Sequence, residues 1–240
     1  EEGPAVDGTR HVLERLEARG ESLDWCLVGE PSCQVRLGDT LKNGRRGSLN
    51  GHLLVRGKQG HIAYPQHADN PIHRLAPALA ELVATTWDAG NAHFPPTQFQ
   101  VSNIRAGTGV ENVIPGDLSL DFNFRYASCT SDTDLRARVD EVLTRHGLAY
   151  RLDFHLSGRP FLTEPGPFTE AVSAAVADIV GEAPEFSTSG GTSDGRFIAA
   201  AGVPTVEFGV LNNSIHQIDE HVRIVDLERL HAIYVRLIER

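Results

Sequence analysis

The chain has 240 residues, and 22 Lys and Arg against 32 Asp and Glu leave a net charge of −10. That balance argues against nucleic acid or an anionic membrane surface as a partner, because both select for positive fields. Apolar residues make up 40% of the chain, with 23 Gly besides. This is an ordinary globular composition, and no apolar run approaches the ~20 residues of a membrane span. Cys26, Cys33 and Cys129 form no Cys-x-x-Cys pair, so a reducing, cytoplasmic setting is expected rather than a disulfide framework. Met is absent even at position 1, and the chain is expected to be part of a longer protein.

In chain order, residues 8–19 read as a helix and 24–29 as a buried strand running into a loop at Glu30. Segments 49–56, 97–105, 117–126 and 149–157 are short and rich in β-branched and aromatic residues, the composition of strands. In the third, Leu118, Leu120, Phe122 and Phe124 alternate with polar residues at the period of a half-buried strand. A helix is predicted over 70–88 from Ile72, Leu75, Leu79 and Leu82, with Pro71 suited to its first turn. A second is predicted over 132–147 from Leu135, Val139 and Leu143, with Gly147 as its stop. The order β-α-β-β-α-β is the ferredoxin-like plan, placed at 47–159. Beyond it, 167–181 and 225–239 read as helices, and 203–209 as a core strand leading to a polar loop. The expected fold class is therefore α/β. One α/β domain, residues 1–46 and 160–240, is interrupted by the ferredoxin-like insertion. Strands of such a domain present functional residues at their carboxyl ends, where Glu30 and the 211–216 loop fall.

Several residues there can carry chemistry. Glu1 and Glu2 are adjacent acids, able to divide metal ligation and proton transfer between them or to form a plain solvated terminus. Glu30, in Val-Gly-Glu-Pro, ends an apolar strand where a carboxylate needs a partner. His216 follows a core strand, and a neutral imidazole is a common zinc ligand, with Asp219 or Glu220 able to hold its far nitrogen. His61, in Gly-His-Ile-Ala-Tyr-Pro, is placed to donate to an oxyanion or to sit in a turn. Arg45 and Arg46, flanked by Gly44 and Gly47, suit bidentate carboxylate capture or a solvated turn. The run 189–196 is glycine-rich but lacks the lysine of a nucleotide phosphate loop. No His-Glu-x-x-His occurs, which removes support for that metalloprotease class. Acids, Glu30 and His216 together are the donor types of a carboxylate–imidazole zinc site.

The segments Glu1–Thr9, Val28–Pro31, Lys42–Ser48, Gly57–Pro65, Asn70–His73, Gly107–Gly109, Asn112–Pro115, Gly190–Arg196 and Ser214–His216 together resemble the bacterial desuccinylase branch of the di-zinc aminoacylase and carboxypeptidase family. The resemblance runs along the whole chain. It implies a zinc-peptidase-like catalytic domain, here incomplete, interrupted by a dimerisation domain at 47–159. It implies Glu1 as general base, Glu2 and His216 as ligands to one zinc, and Glu30 as ligand to the other. It further implies His61 as a catalytic residue lent to the partner subunit's site. Arg45, Tyr64, Asn112, Arg125, Thr192 and Asn212 become substrate-binding positions. Two zincs per subunit are implied, with cobalt as a possible substitute, and two further ligands upstream of Glu1. The implied partners are a small-molecule substrate and a second copy of the chain, with no nucleic acid and no membrane. The implied reaction is hydrolysis of N-succinyl-LL-2,6-diaminopimelate in bacterial lysine biosynthesis. A related deacylase acting on acetylornithine, or a catalytically incomplete assembly module, are the other readings.

Overall fold

A computed structural model describes residues 7–240. By contacts the chain divides into two compact units, one made of the residues up to Arg46 together with Pro160–Arg240, the other of Gly47–Arg159. In the first segment, α1 (Gly8–Ala18) precedes three short strands, β1 (Cys26–Val28), β2 (Thr40–Lys42) and β3 (Gly44–Arg45). The second unit runs β4 (Gly47–Arg56), β5 (Gly60–His61), α2 (Pro71–Ala84), β6 (Gln98–Ala106), β7 (Val113–Ile114), β8 (Asp117–Tyr126), α3 (Asp132–Arg145) and β9 (Tyr150–Gly158). The chain then returns to the first unit with β10 (Phe161–Leu162), α4 (Pro167–Val180), β11 (Glu185–Ser187), α5 (Gly195–Ala200), β12 (Thr205–Glu207) and α6 (Ile224–Ile238).

The second unit is an antiparallel sheet in the order β6-β8-β4-β9, the ferredoxin-like order, with α2 and α3 over one face. Alternation along β8 buries Leu118, Leu120, Phe122, Phe124 and Tyr126 on the helix side. The same alternation places Arg125 on the opposite face from those rings. In β4, Leu49, Leu53 and Val55 join this core. Gly51 leaves the gap that the Phe122 ring fills: a Cβ there would lie 2.1 Å from Phe122 Cζ. Asn70 starts α2, its Oδ1 accepting from the Ile72 N–H at 3.0 Å. The helix predicted to Asp88 stops at Ala84 because the chain turns Trp87 back into the core, edge-on to Phe124 with ring centroids 4.6 Å apart. Arg138 then donates to the carbonyls of Trp87 and Thr86 at 2.5 and 3.2 Å, meeting groups that a longer helix would have bonded internally.

In the first unit a mixed sheet has the order β1-β12-β2-β11, with β1 parallel to β12 and β2 parallel to β11, while β12 and β2 are antiparallel. Phe168, Val172 and Val176 of α4 and Ile233 of α6 close over Leu41, Val206 and Phe208 in one core. Segment 24–29, expected to be buried, is half-buried over Cys26–Val28, because β1 is an edge strand with one neighbour. Trp25 stacks on Phe168, with centroids 5.2 Å apart, and remains 54% exposed. In the 43–47 segment, with a solvated turn as one reading, Asn43, Gly44, Arg45 and Gly47 are instead buried and Arg46 half-buried: β3 pairs with β10, placing Gly44 opposite Leu162 and Arg45 opposite Phe161.

Candidate functional site

The parallel pairing of β1 with β12 sends both strands' carboxyl ends to the same edge of the sheet. Beyond it the two loops stay joined. The Cys33 N–H donates to Val210 O at 3.2 Å, and the Asn212 N–H to Cys33 O at 2.9 Å. Ser32, fully buried, donates to Thr40 O at 3.0 Å and accepts from the Gly209 N–H at 3.2 Å. Two main-chain bonds and the Ser32 hydroxyl thus hold the Glu30 loop against the Asn212 loop.

A cavity of about 810 Å³ opens at this edge, lined among others by Glu30, Arg45, Thr192, Asn212 and His216. Glu30, Arg45, Thr192, Asn212 and His216 therefore meet at one place, whereas Arg46 and Asp219 are not among the lining residues. Glu1 and Glu2 lie outside the described residues. His216 has φ 59°, the left-handed region that a non-glycine residue occupies only when its surroundings impose it. Its backbone N–H donates to Glu220 Oε2 at 3.3 Å. Either Asp219 or Glu220 is able by sequence to hold the far nitrogen of the imidazole; the turn at φ 59° brings Glu220 to the main chain instead, and the structure shows no bond from Asp219 or Glu220 to the ring. Ser214 fastens the loop by donating to His221 O at 2.8 Å.

Arg45 makes the carboxylate capture that its type suggests, with a partner inside the chain. Nε donates to Glu207 Oε2 at 2.7 Å, Nη2 donates to the same oxygen, and Nη1 donates to Ser189 O at 2.9 Å. Ser193 Oγ donates to the other oxygen of Glu207, whose side chain is fully buried. Gly190 has φ 108°, and a Cβ there would lie 2.2 Å from Arg45 Nη1, so the glycine permits this approach. Lys42, which the sequence reading did not single out, also lines the cavity and is 2% exposed. Its burial has no local signal in the three-residue β2, Thr40-Leu41-Lys42.

The second unit gathers a separate set. β5 pairs with β7, placing His61 opposite Val113, and the Ile62 N–H donates to Asn112 O at 3.0 Å. The rings of His61 and Tyr64 lie 5.6 Å apart. The Ala63 N–H donates to His61 Nδ1 at 3.0 Å, so in the neutral imidazole the proton sits on Nε2, which is left as a donor. Arg125, half-buried in β8, pairs with Ser48 on one side and Gln98 on the other.

Glu30 and His216 are suitable zinc donors, but among the described residues no group of three or more His, Cys, Asp and Glu is placed to hold a metal ion. A catalytic zinc takes about three protein ligands, so the described residues alone do not complete a centre. Among the same residues no helix is long and apolar enough to cross a membrane. Cys26 and Cys33 are free thiols whose burial pushes their pKa up, and Cys129 is free and exposed.

The fold is similar to that of solved structures of the M20 metallopeptidase family. Residues 43–151 match the family model for the peptidase dimerisation domain. An M20 family metallo-carboxypeptidase from Sulfolobus solfataricus superposes with a TM-score of 0.79 at 14% identity, over 96% of this chain and 66% of that one. In sequence, the chain is a relative of the succinyl-diaminopimelate desuccinylases. It is 61% identical over its whole length to that of Thioalkalivibrio sulfidiphilus and 58% identical to that of Alkalilimnicola ehrlichii, spanning 64% of the length of each.

Proposed function

We propose that this chain is the larger part of a zinc-dependent amide hydrolase that converts N-succinyl-LL-2,6-diaminopimelate and water to succinate and LL-2,6-diaminopimelate. The observation that carries the reading is the meeting of Glu30, His216, Thr192, Asn212 and Arg45 on one cavity in a chain 61% identical to a desuccinylase. Glu2, Glu30 and His216 would hold metal together with ligands outside the described residues, and cobalt can stand in for zinc. Bound zinc would supply water of lowered pKa. Since the described donors do not complete that centre, the steps below concern the chain's own groups.

Glu1 takes a proton from the attacking water and returns it to the departing amine, acting as base and then acid. The oxygen of the tetrahedral intermediate receives a hydrogen bond from Nε2–H of His61, which the Ala63 N–H holds in that tautomer. Tyr64 and Asn112, beside His61, and Arg125 on the same unit bind the substrate together with Thr192 and Asn212. Arg45 shapes the pocket while paired to Glu207. The unit Gly47–Arg159 joins two copies of the chain into a homodimer, and His61 serves the partner's site. The protein acts in the cytoplasm, in lysine and diaminopimelate biosynthesis, where its free thiols stay reduced.

The test is zinc analysis of the complete protein with a substrate panel. Succinate release from the succinyl substrate, abolished by Glu1→Ala, is expected. Preference for acetylornithine would move the activity to a neighbouring deacylase. Absence of any amide hydrolysis would leave the assembly-module reading.

A further inference from the structure

Among the described residues, the cavity wall carries one lysine with no carboxylate within hydrogen-bonding reach. Lys42, at the end of β2, donates from Nζ to Ser187 Oγ at 3.1 Å and to Ser189 Oγ at 2.8 Å, both neutral hydroxyls. Glu207 stands directly across the β2–β12 pair, but one of its oxygens is taken by Arg45 and the other by Ser193. Arg45 is thereby neutralised and Lys42 is not. An ammonium has three N–H donors, so the two serines leave one over. Burying a charge without an ionic partner is costly, and here the buried charge faces an open cavity beside Gly190 and Gly191.

We infer that Lys42 is a substrate-binding residue, its remaining N–H and its uncompensated charge holding a free carboxylate of an acylated amino acid in the first unit's cavity. The identity of that amino acid rests on the desuccinylase reading; the binding of a carboxylate does not. Lysine suits the task as a compact point charge, and the two serines fix its direction by accepting the donors that point away from the ligand.

Burial, with Arg45 acting in the same sense, pulls the pKa of Lys42 down to about 8, while Glu207, Asp39 and Cys33 act to raise it. Below that value the ammonium persists and binds anions. Above it the charge is lost, unless the anion itself holds the proton on. Carboxylate affinity should therefore be flat at lower pH and fall as pH rises past the titration of Lys42.

The experiment uses the complete protein and succinate as probe, followed by calorimetry across this pH range. Wild type should show the alkaline loss of affinity. Lys42→Met, close in length and uncharged, should bind succinate at least tenfold more weakly at neutral pH and show no alkaline inflection. With the succinyl amide as substrate, the same variant should raise KM far more than it lowers kcat. Unchanged succinate affinity and KM in a folded Lys42→Met protein would overturn the inference while leaving the desuccinylase reading intact. If that variant does not fold, a wild-type affinity that stays flat through the titration overturns it. A wild type that binds succinate through Lys42 but hydrolyses no succinyl amide would uphold the inference and sink the desuccinylase reading.

Discussion

Glu207 faces Lys42 across the antiparallel β2–β12 pair, yet its carboxylate is bonded to Arg45 from β3 and Ser193 from the glycine-rich loop. One buried acid thus ties the sheet, the short β3–β10 pair and the 189–196 loop together. It also decides which of two neighbouring cations is neutralised. The division has a geometric cause. Arg45 reaches Glu207 with two nitrogens of a rigid fork, whereas the single ammonium of Lys42 is met by hydroxyls on β11 and its following loop.

Removing one partner of such a pair is more damaging than removing both. Glu207→Gln should lower stability by about 3–5 kcal/mol, because it leaves the Arg45 charge buried with a poorer acceptor. The drop in the thermal midpoint would be on the order of 10 °C for a protein of this size. Arg45→Met combined with Glu207→Leu should recover a large part of that loss. A Glu207→Gln midpoint within a degree or two of wild type would show that the pair contributes little.

A second prediction concerns the core of the ferredoxin-like unit. Gly51 lies opposite Phe122 on one side and Phe154 on the other, and a Cβ on it would lie 2.1 Å from the Phe122 ring. The ring is fixed in turn by Phe99, 5.1 Å away, and by Phe124, 5.9 Å away, so it has no free direction in which to retreat. Gly51→Ala should cost about 1–3 kcal/mol by overpacking, read as a lower unfolding midpoint and faster proteolysis within 47–159. An unchanged midpoint would mean that the sheet yields more easily than its packing implies.

The contrast between the two units explains what the sequence could reveal. In the second unit, long strands alternate cleanly: five side chains of β8 turn to the core, and each is apolar or aromatic. Period-2 patterning finds such strands and their order follows from the helices between them. In the first unit β2 and β3 have three and two residues, too short to show a period. The Arg45–Glu207 pair spans 162 positions in the chain, so no local pattern announces it. Glu30 and His216 were legible because each follows an apolar strand and adjoins turn-forming residues. Lys42 was not, since a lysine ending a strand is ordinarily a solvated one, and only the folded sheet shows it 2% exposed.

Asp39 offers a pH-dependent test of the cavity rim. Its burial would raise its pKa, but the N–H groups of Gln34, Val35 and Arg36 donate to it at 3.0, 2.7 and 3.0 Å and together hold it below the usual carboxylate range. A carboxyl whose pKa is lower in the folded state contributes stability that is present above its unfolded value and lost as pH falls through the folded one. Asp39→Asn should therefore destabilise the protein at neutral pH by about 1–2 kcal/mol, from hydrogen bonds to a charged acceptor. The difference from wild type should shrink in acid. Gln34 and Val35 line the cavity, so KM should rise as well. A difference independent of pH would point to packing rather than to the charge.

The last prediction concerns His61, which belongs to the second unit while the cavity belongs to the first. Its Nδ1 is occupied by the Ala63 N–H at 3.0 Å, so the neutral ring carries its proton on Nε2, the donor proposed for the oxyanion. If each subunit lends that donor to its partner, His61→Ala alone should lower kcat by about 100-fold or more, the usual loss of one such donor. Glu1→Ala alone should be inactive as well. A mixed dimer of the two variants keeps one site with both residues intact, so equal mixing should return roughly a quarter of wild-type activity by random pairing. Mixing after verified subunit exchange separates the alternatives. If His61 acts within its own subunit, the mixed dimer has no intact site, and activity stays at the level of the single variants.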